Sequence, residues 1–322
     1  MKRRALISMA SAGLFPAGLP VLAQSVPARQ VKVVVAWPAG GFIDVATRAM
    51  TERLAAMWSQ TVLVENKPGA YGLIGTEQVI KSPPDGHTWL IGTMGTPMSA
   101  SLYKRKWIAA DELAGVAMIG SSGLIAVVPT SLPVYNMKEF VALARSQPGK
   151  LNYLNPSIGS ATHLNSELLK LREQVNLTSV AYNGQPPGIV DLIAGQLHFG
   201  MLAPQVVGPH IKAGKLRPLA VVFPSRLKDY PELPTMEQAG FPDVNIVATY
   251  SVLVPKKTPN EVISRFNADI QEALGDADVR RRIESAGAIV AGPSTPEQVD
   301  AYMRAETRRW DKFFSEVRIS IE

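Results

Sequence analysis

The chain of 322 residues contains no cysteine. Disulfides and cysteine-ligated metal centres are therefore excluded, and no cysteine stands near residue 23 to carry a lipid anchor. Histidine is scarce: the 4 present, His87, His163, His198 and His210, are scattered without H-x-x-x-H spacing, so no metal site is expected. The G-x-S-x-G elbow, the P-loop and the dinucleotide fingerprint G-x-G-x-x-G are all missing, so neither a catalytic residue nor a cofactor is expected. Beyond residue 23 no apolar run approaches the ~20 residues of a membrane span; Leu124 to Pro129 has strand length. No repeat, coiled coil or low-complexity linker interrupts the chain. Half of the net charge of +6 comes from Lys2, Arg3 and Arg4. The remaining basic groups, Arg280-Arg281-Arg282 and Arg308-Arg309, lie on helical stretches and read as solvated faces, which argues against a nucleic-acid partner.

The first residues are informative. A basic n-region at Lys2 to Arg4 precedes an uncharged, mostly apolar run from Ala5 to Leu22, broken by Gly13, Pro16, Gly18 and Pro20. Val21-Leu22-Ala23 then supplies small side chains for cleavage after Ala23, the order of a secretory signal peptide over 1–23. Two prolines inside the run speak against a membrane anchor, and Arg3-Arg4 leaves a twin-arginine route open beside the general one. Export places the mature protein outside the bacterial inner membrane, in the periplasm.

The roughly 300 residues that follow suffice for two domains. Strand-like runs at Val31 to Ala36, Val62 to Val64, Thr88 to Ile91, Leu124 to Val128, Leu151 to Leu154, Phe199 to Leu202 and Leu216 to Val222 alternate with helical periodicity. Ala46, Ala49, Met50, Leu54 and Met57 mark one helix; Met137, Phe140, Val141 and Ala144 mark another; Thr162 to Leu171 and Ile189 to Ile193 follow. This alternation predicts an α/β fold of mostly parallel sheets flanked by helices. Asn136, Thr258 and Thr295 each begin a capping-box spacing, with proline at the first helical position after the two threonines. Strand-like runs at Gly123 to Pro129 and Ile246 to Pro255 are the places where the chain would pass between two lobes. Lobe 1 is then 24–125 with 250–322, and lobe 2 is 126–249.

Two strand-to-helix turns suit an anion. One is Trp37-Pro38-Ala39-Gly40-Gly41-Phe42-Ile43-Asp44, and the other is Asn155-Pro156-Ser157-Ile158-Gly159-Ser160-Ala161-Thr162-His163. Glycine lets the backbone approach a ligand, and the following helix offers free N–H groups and the positive end of its dipole. The second helix has no acid of its own until Glu167. The first carries Asp44, which could cap the helix and take the donors a ligand would need. Ser160 and His163, three apart, read as hydrogen-bonding groups of a helix end rather than a nucleophile and its base. Gly69-Ala70-Tyr71-Gly72-Leu73-Ile74-Gly75 lacks a phosphate-binding lysine and reads as a turn with tight helix packing.

At these loops the sequence resembles the extracytoplasmic receptors of tripartite tricarboxylate transporters, the Bug proteins. The resemblance runs from Pro38-Ala-Gly-Gly-x-x-Asp44 through Val64-Glu-Asn-Lys-Pro-Gly69, Pro84-Asp-Gly-His-Thr-Trp-Leu90 and Pro148-Gly-Lys-Leu-Asn-Tyr153. It continues through Gly159-Ser-x-x-His163, Asp191-Leu-Ile-Ala-Gly-Gln196, Pro209-His-Ile-Lys-Ala-Gly-Lys-Leu-Arg217 and Pro231-Glu-Leu-Pro-Thr235. It implies a two-lobed, type II-like periplasmic binding protein without enzymatic activity, a monomer that closes on a small carboxylate and hands it to membrane permease subunits. It also implies that the backbone at Gly40 to Ile43 and Gly159 to Thr162 grips a carboxylate, with ordered waters between. Asp44 would orient a water, and Thr93-Met94-Gly95-Thr96 would line the cleft.

The departures from the family bear on the ligand. Phe42 and Ile43 stand where a small residue and Thr or Ser are usual, Leu202 where an acid is frequent, and His198 where Asp is frequent. Without an acid at Leu202, within Met201-Leu202-Ala203-Pro204, a ligand ammonium has no obvious partner. Trp37, Phe42, Ile43 and Leu202 would instead form an apolar slot for a ring, pointing to an aromatic mono- or dicarboxylate such as terephthalate. A bland alternative has Phe42 packing on the lobe surface. A sensing protein serving a membrane kinase, with an aliphatic di- or tricarboxylate as ligand, needs the same trap, whereas an exported hydrolase would need an accessible nucleophile.

Overall fold

The protein is described by a computed structural model over residues 29–40 and 42–316. The expected signal segment 1–23 and Gly41 lie outside those residues.

The elements follow in the order β1 (Val31–Val35), α1 (Phe42–Trp58), β2 (Val62–Asn66), α2 (Leu73–Ile80), β3 (Thr88–Gly92), α3 (Gly95–Leu102), α4 (Ala109–Glu112), β4 (Leu113–Ser122) and β5 (Leu124–Pro129). Then come α5 (Met137–Ser146), β6 (Leu151–Asn155), α6 (Ala161–Glu173), β7 (Leu177–Ala181), α7 (Gln185–Ile193), β8 (Gly200–Leu202), α8 (Pro204–Lys212) and β9 (Leu216–Val222). The chain ends with β10 (Ala248–Pro255), α9 (Asn260–Gly275), α10 (Ala277–Ser285), β11 (Ile289–Val290) and α11 (Pro296–Glu316). Each strand-like run named from the sequence is a strand, because β-branched residues that alternate or run together bury well on a pleated surface.

The strands form two assemblies. One is a six-stranded sheet in the order β11-β4-β10-β3-β1-β2. The other comprises β8-β5-β9 and the parallel pair β6-β7, stitched together where Leu154 N–H donates to Phe199 O (2.9 Å) and His198 N–H to Asn152 O (2.9 Å). The sheets are mixed rather than mostly parallel. β1 runs parallel to β2 and β3, but β10 is antiparallel to β3 and β4, and β5 is antiparallel to β8 and β9. The cause is the route of the chain. It leaves the first sheet through β4 into β5 and returns through β10, which lies beside β4 and so runs against it. Such a return has no crossover helix to make it parallel.

Packing follows from these layers. Trp58, Trp89 and Phe266 form an aromatic knot between α1, β3 and α9, with Trp89–Phe266 centroids 4.9 Å apart. Gly75 lies so close to β1 that a Cβ there would stand 2.8 Å from that of Ala36, as the reading of tight helix packing requires. A second apolar cluster joins Phe140, Tyr153, Leu164 and Phe199 to Met94, which precedes α3, to Met98 of α3 and to Trp310 and Phe313 of α11. The end of α11 thus packs on the core of the central segment, and Arg172 of α6 pairs with its Glu316 at 3.1 Å. Two of the expected capping boxes form: Glu139 N–H donates to Asn136 Oδ1 (2.9 Å), and Thr295 N–H to Gln298 Oε1 (2.9 Å). The third does not. The Thr258 hydroxyl donates to Pro255 O (2.8 Å), and α9 starts without a side-chain cap.

Candidate functional site

The loop after β1 is held from below. Asp44, in the first turn of α1, is 4% exposed, and its Oδ2 accepts the Gly40 N–H at 3.0 Å. Arg48 Nε donates to both of its oxygens (3.1 Å), and Asn66 Nδ2 donates to Oδ1 (3.0 Å) and to Trp37 O (3.1 Å). Burial raises the Asp44 pKa, but the hydrogen bonds from Arg48, Gly40 and Asn66 outweigh it and hold the carboxyl below its ordinary 3.8. Asp44 therefore ties the loop down by taking one of its backbone donors, the Gly40 N–H, rather than a donor of α1. Arg48 and Asn66 complete the arrangement. The sequence reading overlooked both, although the spacing of Asp44 and Arg48 by four puts them on one helix face.

The loop before α6 is arranged differently. Gly159 N–H donates to Nδ1 of His163 (3.0 Å), Ser160 N–H to Ser157 O (3.1 Å), and His163 N–H to the Ser160 hydroxyl (3.3 Å). Nδ1 of His163 is thus an acceptor, and burial lowers the pKa of the ring, which keeps it neutral. The Thr162 hydroxyl is turned away, donating to Met201 O at 2.6 Å. Among the described residues no acceptor takes the N–H groups of Ala161 and Thr162, the first two donors of α6. They stand at the positive end of a 13-residue helix whose first turn has no acid.

A cavity of about 560 Å³ lies between the two loops, within the size range of small-ligand sites. Trp37, Ala39, Gly40, Phe42, Ile43, Thr93, Met94, Gly159, Ser160 and Ala161 line it, as do Pro38 and Gly95. Tyr71, Met98, Ala248 and Tyr250 also line it, and sequence reading did not place them there. Among the described residues the lining has no charged side chain. Trp37 Nε1 donates to Thr93 Oγ1 (3.2 Å), and its ring meets Tyr71 edge-on at 6.3 Å. Phe42 packs on Tyr250 with centroids 4.9 Å apart, so it faces the cavity rather than the outer surface. Tyr71 spans the cavity mouth: its hydroxyl lies 3.3 Å from Ser157 Oγ. It reaches that position from a left-handed backbone, φ 55°. Burial pushes the Tyr71 phenol up, and burial alone does the same to Tyr250.

Five expected site residues stand behind this surface. Asp44, Thr162 and His163 position the loops as described. Ala203 N–H donates to Gln185 Oε1 (3.0 Å) at the start of α8. Leu202 is fully buried among Ile189, Leu192 and Val207, so it is not a wall of the slot. Its neighbour Met201 faces the opposite cluster, as alternation along a strand dictates. His198 accepts the Asn152 N–H on Nδ1 (3.0 Å) and serves as a tie between strands.

A cavity between two α/β assemblies, walled by backbone and aromatic rings and facing a free helix N-terminus, defines a two-lobed solute-binding protein of the periplasmic type. The family model described as "Tripartite tricarboxylate transporter family receptor" matches residues 46–318, and the chain belongs to that family. Protein BugT of Bordetella pertussis is 31% identical over 94% of this chain and 93% of its own. The solved structure of R. palustris Rpa4515 with adipate superposes with a TM-score of 0.74 at 31% identity, covering 90% of this chain and 97% of that one. MatC from Rhodopseudomonas palustris with bound malate gives a TM-score of 0.73 at 26% identity, covering 89% and 99%. The chain is a receptor of that family rather than an enzyme.

Proposed function

We propose that the protein captures a small aromatic carboxylate in the periplasm and delivers it to the membrane permease of a tripartite tricarboxylate-type transporter. The observation that carries this reading is the cavity lining. Trp37, Phe42, Tyr71 and Tyr250 present ring surface, the described lining has no charged side chain, and backbone N–H groups at the start of α6 are free to meet an anion. Two or three charge-assisted hydrogen bonds contribute about 1.5–3 kcal/mol each, and the helix end adds up to ~2 kcal/mol. Together they account for micromolar affinity, about 8 kcal/mol. Asp44 orients the first loop, and Ala39 to Ile43 with Gly159 to Thr162 hold the carboxylate directly or through water. Lobe 1 is 24–125 with 250–322, lobe 2 is 126–249, and the two close on the ligand as a monomer. The segment 1–23 directs export, so the mature protein begins at Gln24; intact mass of the periplasmic form tests this.

An aliphatic dicarboxylate is the second reading, favoured by the adipate and malate held by two relatives. Calorimetry with benzoate, terephthalate, adipate, malate, citrate and glutamate separates the two. Micromolar binding of an aromatic acid is the expected result. Tight binding of citrate or malate with no aromatic response overturns the proposal.

A further inference from the structure

The hydroxyls around the cavity are not equivalent. Thr93 Oγ1 accepts from Trp37 Nε1 and from Gly95 N–H, Ser160 Oγ accepts from His163 N–H, and the Tyr71 hydroxyl pairs with Ser157. Tyr250 is the one lining hydroxyl, among the described residues, that makes no hydrogen bond within the protein. Its position is not incidental. It enters from β10, where the register with β4 shifts between Tyr250 and Ser251, and such irregularities re-aim side chains. Its ring is fixed against Phe42, 4.9 Å away. A half-buried phenol without a protein partner needs one from water or from a ligand. Water can fill that role in the free protein, and a ligand oxygen replaces it on binding.

The geometry points to Tyr250 as the specificity-determining residue of this site, hydrogen-bonding an uncharged oxygen of the ligand, so that the receptor takes aromatic monocarboxylates carrying a hydroxyl or carbonyl and rejects dianions. This rests on the cavity being the carboxylate site. One carboxylate finds the free N–H groups of α6. A second would have to be buried against Trp37, Phe42, Met94, Met98 and Tyr250, with no cationic side chain in the lining to offset its lost hydration. A neutral hydroxyl or carbonyl loses far less water and gains the Tyr250 phenol. The same phenol is uncharged at neutral pH, since burial pushes its pKa upward, so it brings no cation to offset the lost hydration of a second carboxylate.

The test is titration calorimetry on the exported protein with benzoate, 4-hydroxybenzoate, terephthalate and adipate, repeated on Tyr250→Phe. The wild type binds 4-hydroxybenzoate about 10-fold more tightly than benzoate, and terephthalate on the order of 100-fold more weakly than benzoate. Tyr250→Phe removes the difference between the two monoacids. Terephthalate binding as tightly as benzoate overturns the inference and leaves the aromatic reading intact. A Tyr250→Phe variant that loses both monoacids equally also overturns it, because the phenol would then be holding the carboxylate. Binding of adipate alone sinks the aromatic reading, and this inference with it. The ranking in the wild type decides the preference for monoacids even if the variant is unstable.

Discussion

Gly159 carries two constraints at once. Its φ is +77°, and a Cβ there would meet the Tyr71 ring at 2.8 Å. Gly159→Ala therefore strains the backbone by about 1–2 kcal/mol and also displaces the ring that closes the cavity mouth. Ligand affinity is expected to fall at least about 10-fold, the equivalent of 1.4 kcal/mol. Gly214→Ala, at φ +68° with nothing within 4 Å, is the control: it carries the strain but leaves affinity unchanged in the same calorimetry. His163 gives a dependence on pH. Burial lowers its pKa below the ordinary 6.5, with Glu167 raising it and Lys170 lowering it to lesser extents. The folded state thus prefers the neutral ring, so its contribution to stability is complete above 6.5 and is lost as pH falls through the folded value. Burial shifts His198 in the same direction. Melting temperature should stay level from about pH 8 to 6.5 and decline below that. His163→Asn, whose Oδ1 can still accept the Gly159 N–H, should make the decline shallower; an unchanged slope would assign it to other groups.

At the scale of elements, the sequence was informative wherever a pattern is local. The loop at Trp37 to Asp44 could be placed because a β-branched run precedes it and helical periodicity follows. Asn136 announced α5 through its spacing to Glu139, and Asn136→Ala should cost about 1 kcal/mol in urea unfolding. Thr258 has the same spacing to Glu261 but spends its hydroxyl on Pro255 O, so Thr258→Val should leave the start of α9 unaffected. Faster amide exchange at Glu261 in that variant would restore the capping reading. What stayed hidden was non-local. Tyr250 reaches the cavity from a strand far along the chain, aimed by a register shift that no composition reveals. Tyr71 arrives through two successive left-handed residues, Ala70 and Tyr71, where glycine would be the default. Leu202 is no wall of the slot, and neither is Met201: both faces of β8 are covered by core, and only the pairing of β8 with β5 shows how deep the strand lies.

At the scale of the molecule, polar and apolar contacts between the two assemblies have different strengths. Tyr71 with Ser157, and Gln205 Nε2 with Ala286 O at 3.4 Å, are single polar contacts across the cleft. By contrast, Met94, Met98, Trp310 and Phe313 share one apolar cluster with the central sheet. Opening of the cavity is accordingly expected to break the polar pairs and to pivot on the apolar seam. Trp310→Ala should cost about 3–5 kcal/mol. That seam also governs how the protein comes apart. Because α11 completes a core made mostly by the segment between β5 and β9, neither assembly keeps a finished interior once the other melts. Scanning calorimetry should then record one cooperative endotherm in which calorimetric and van't Hoff enthalpies agree. Two separable peaks would mean that the last helix peels away first.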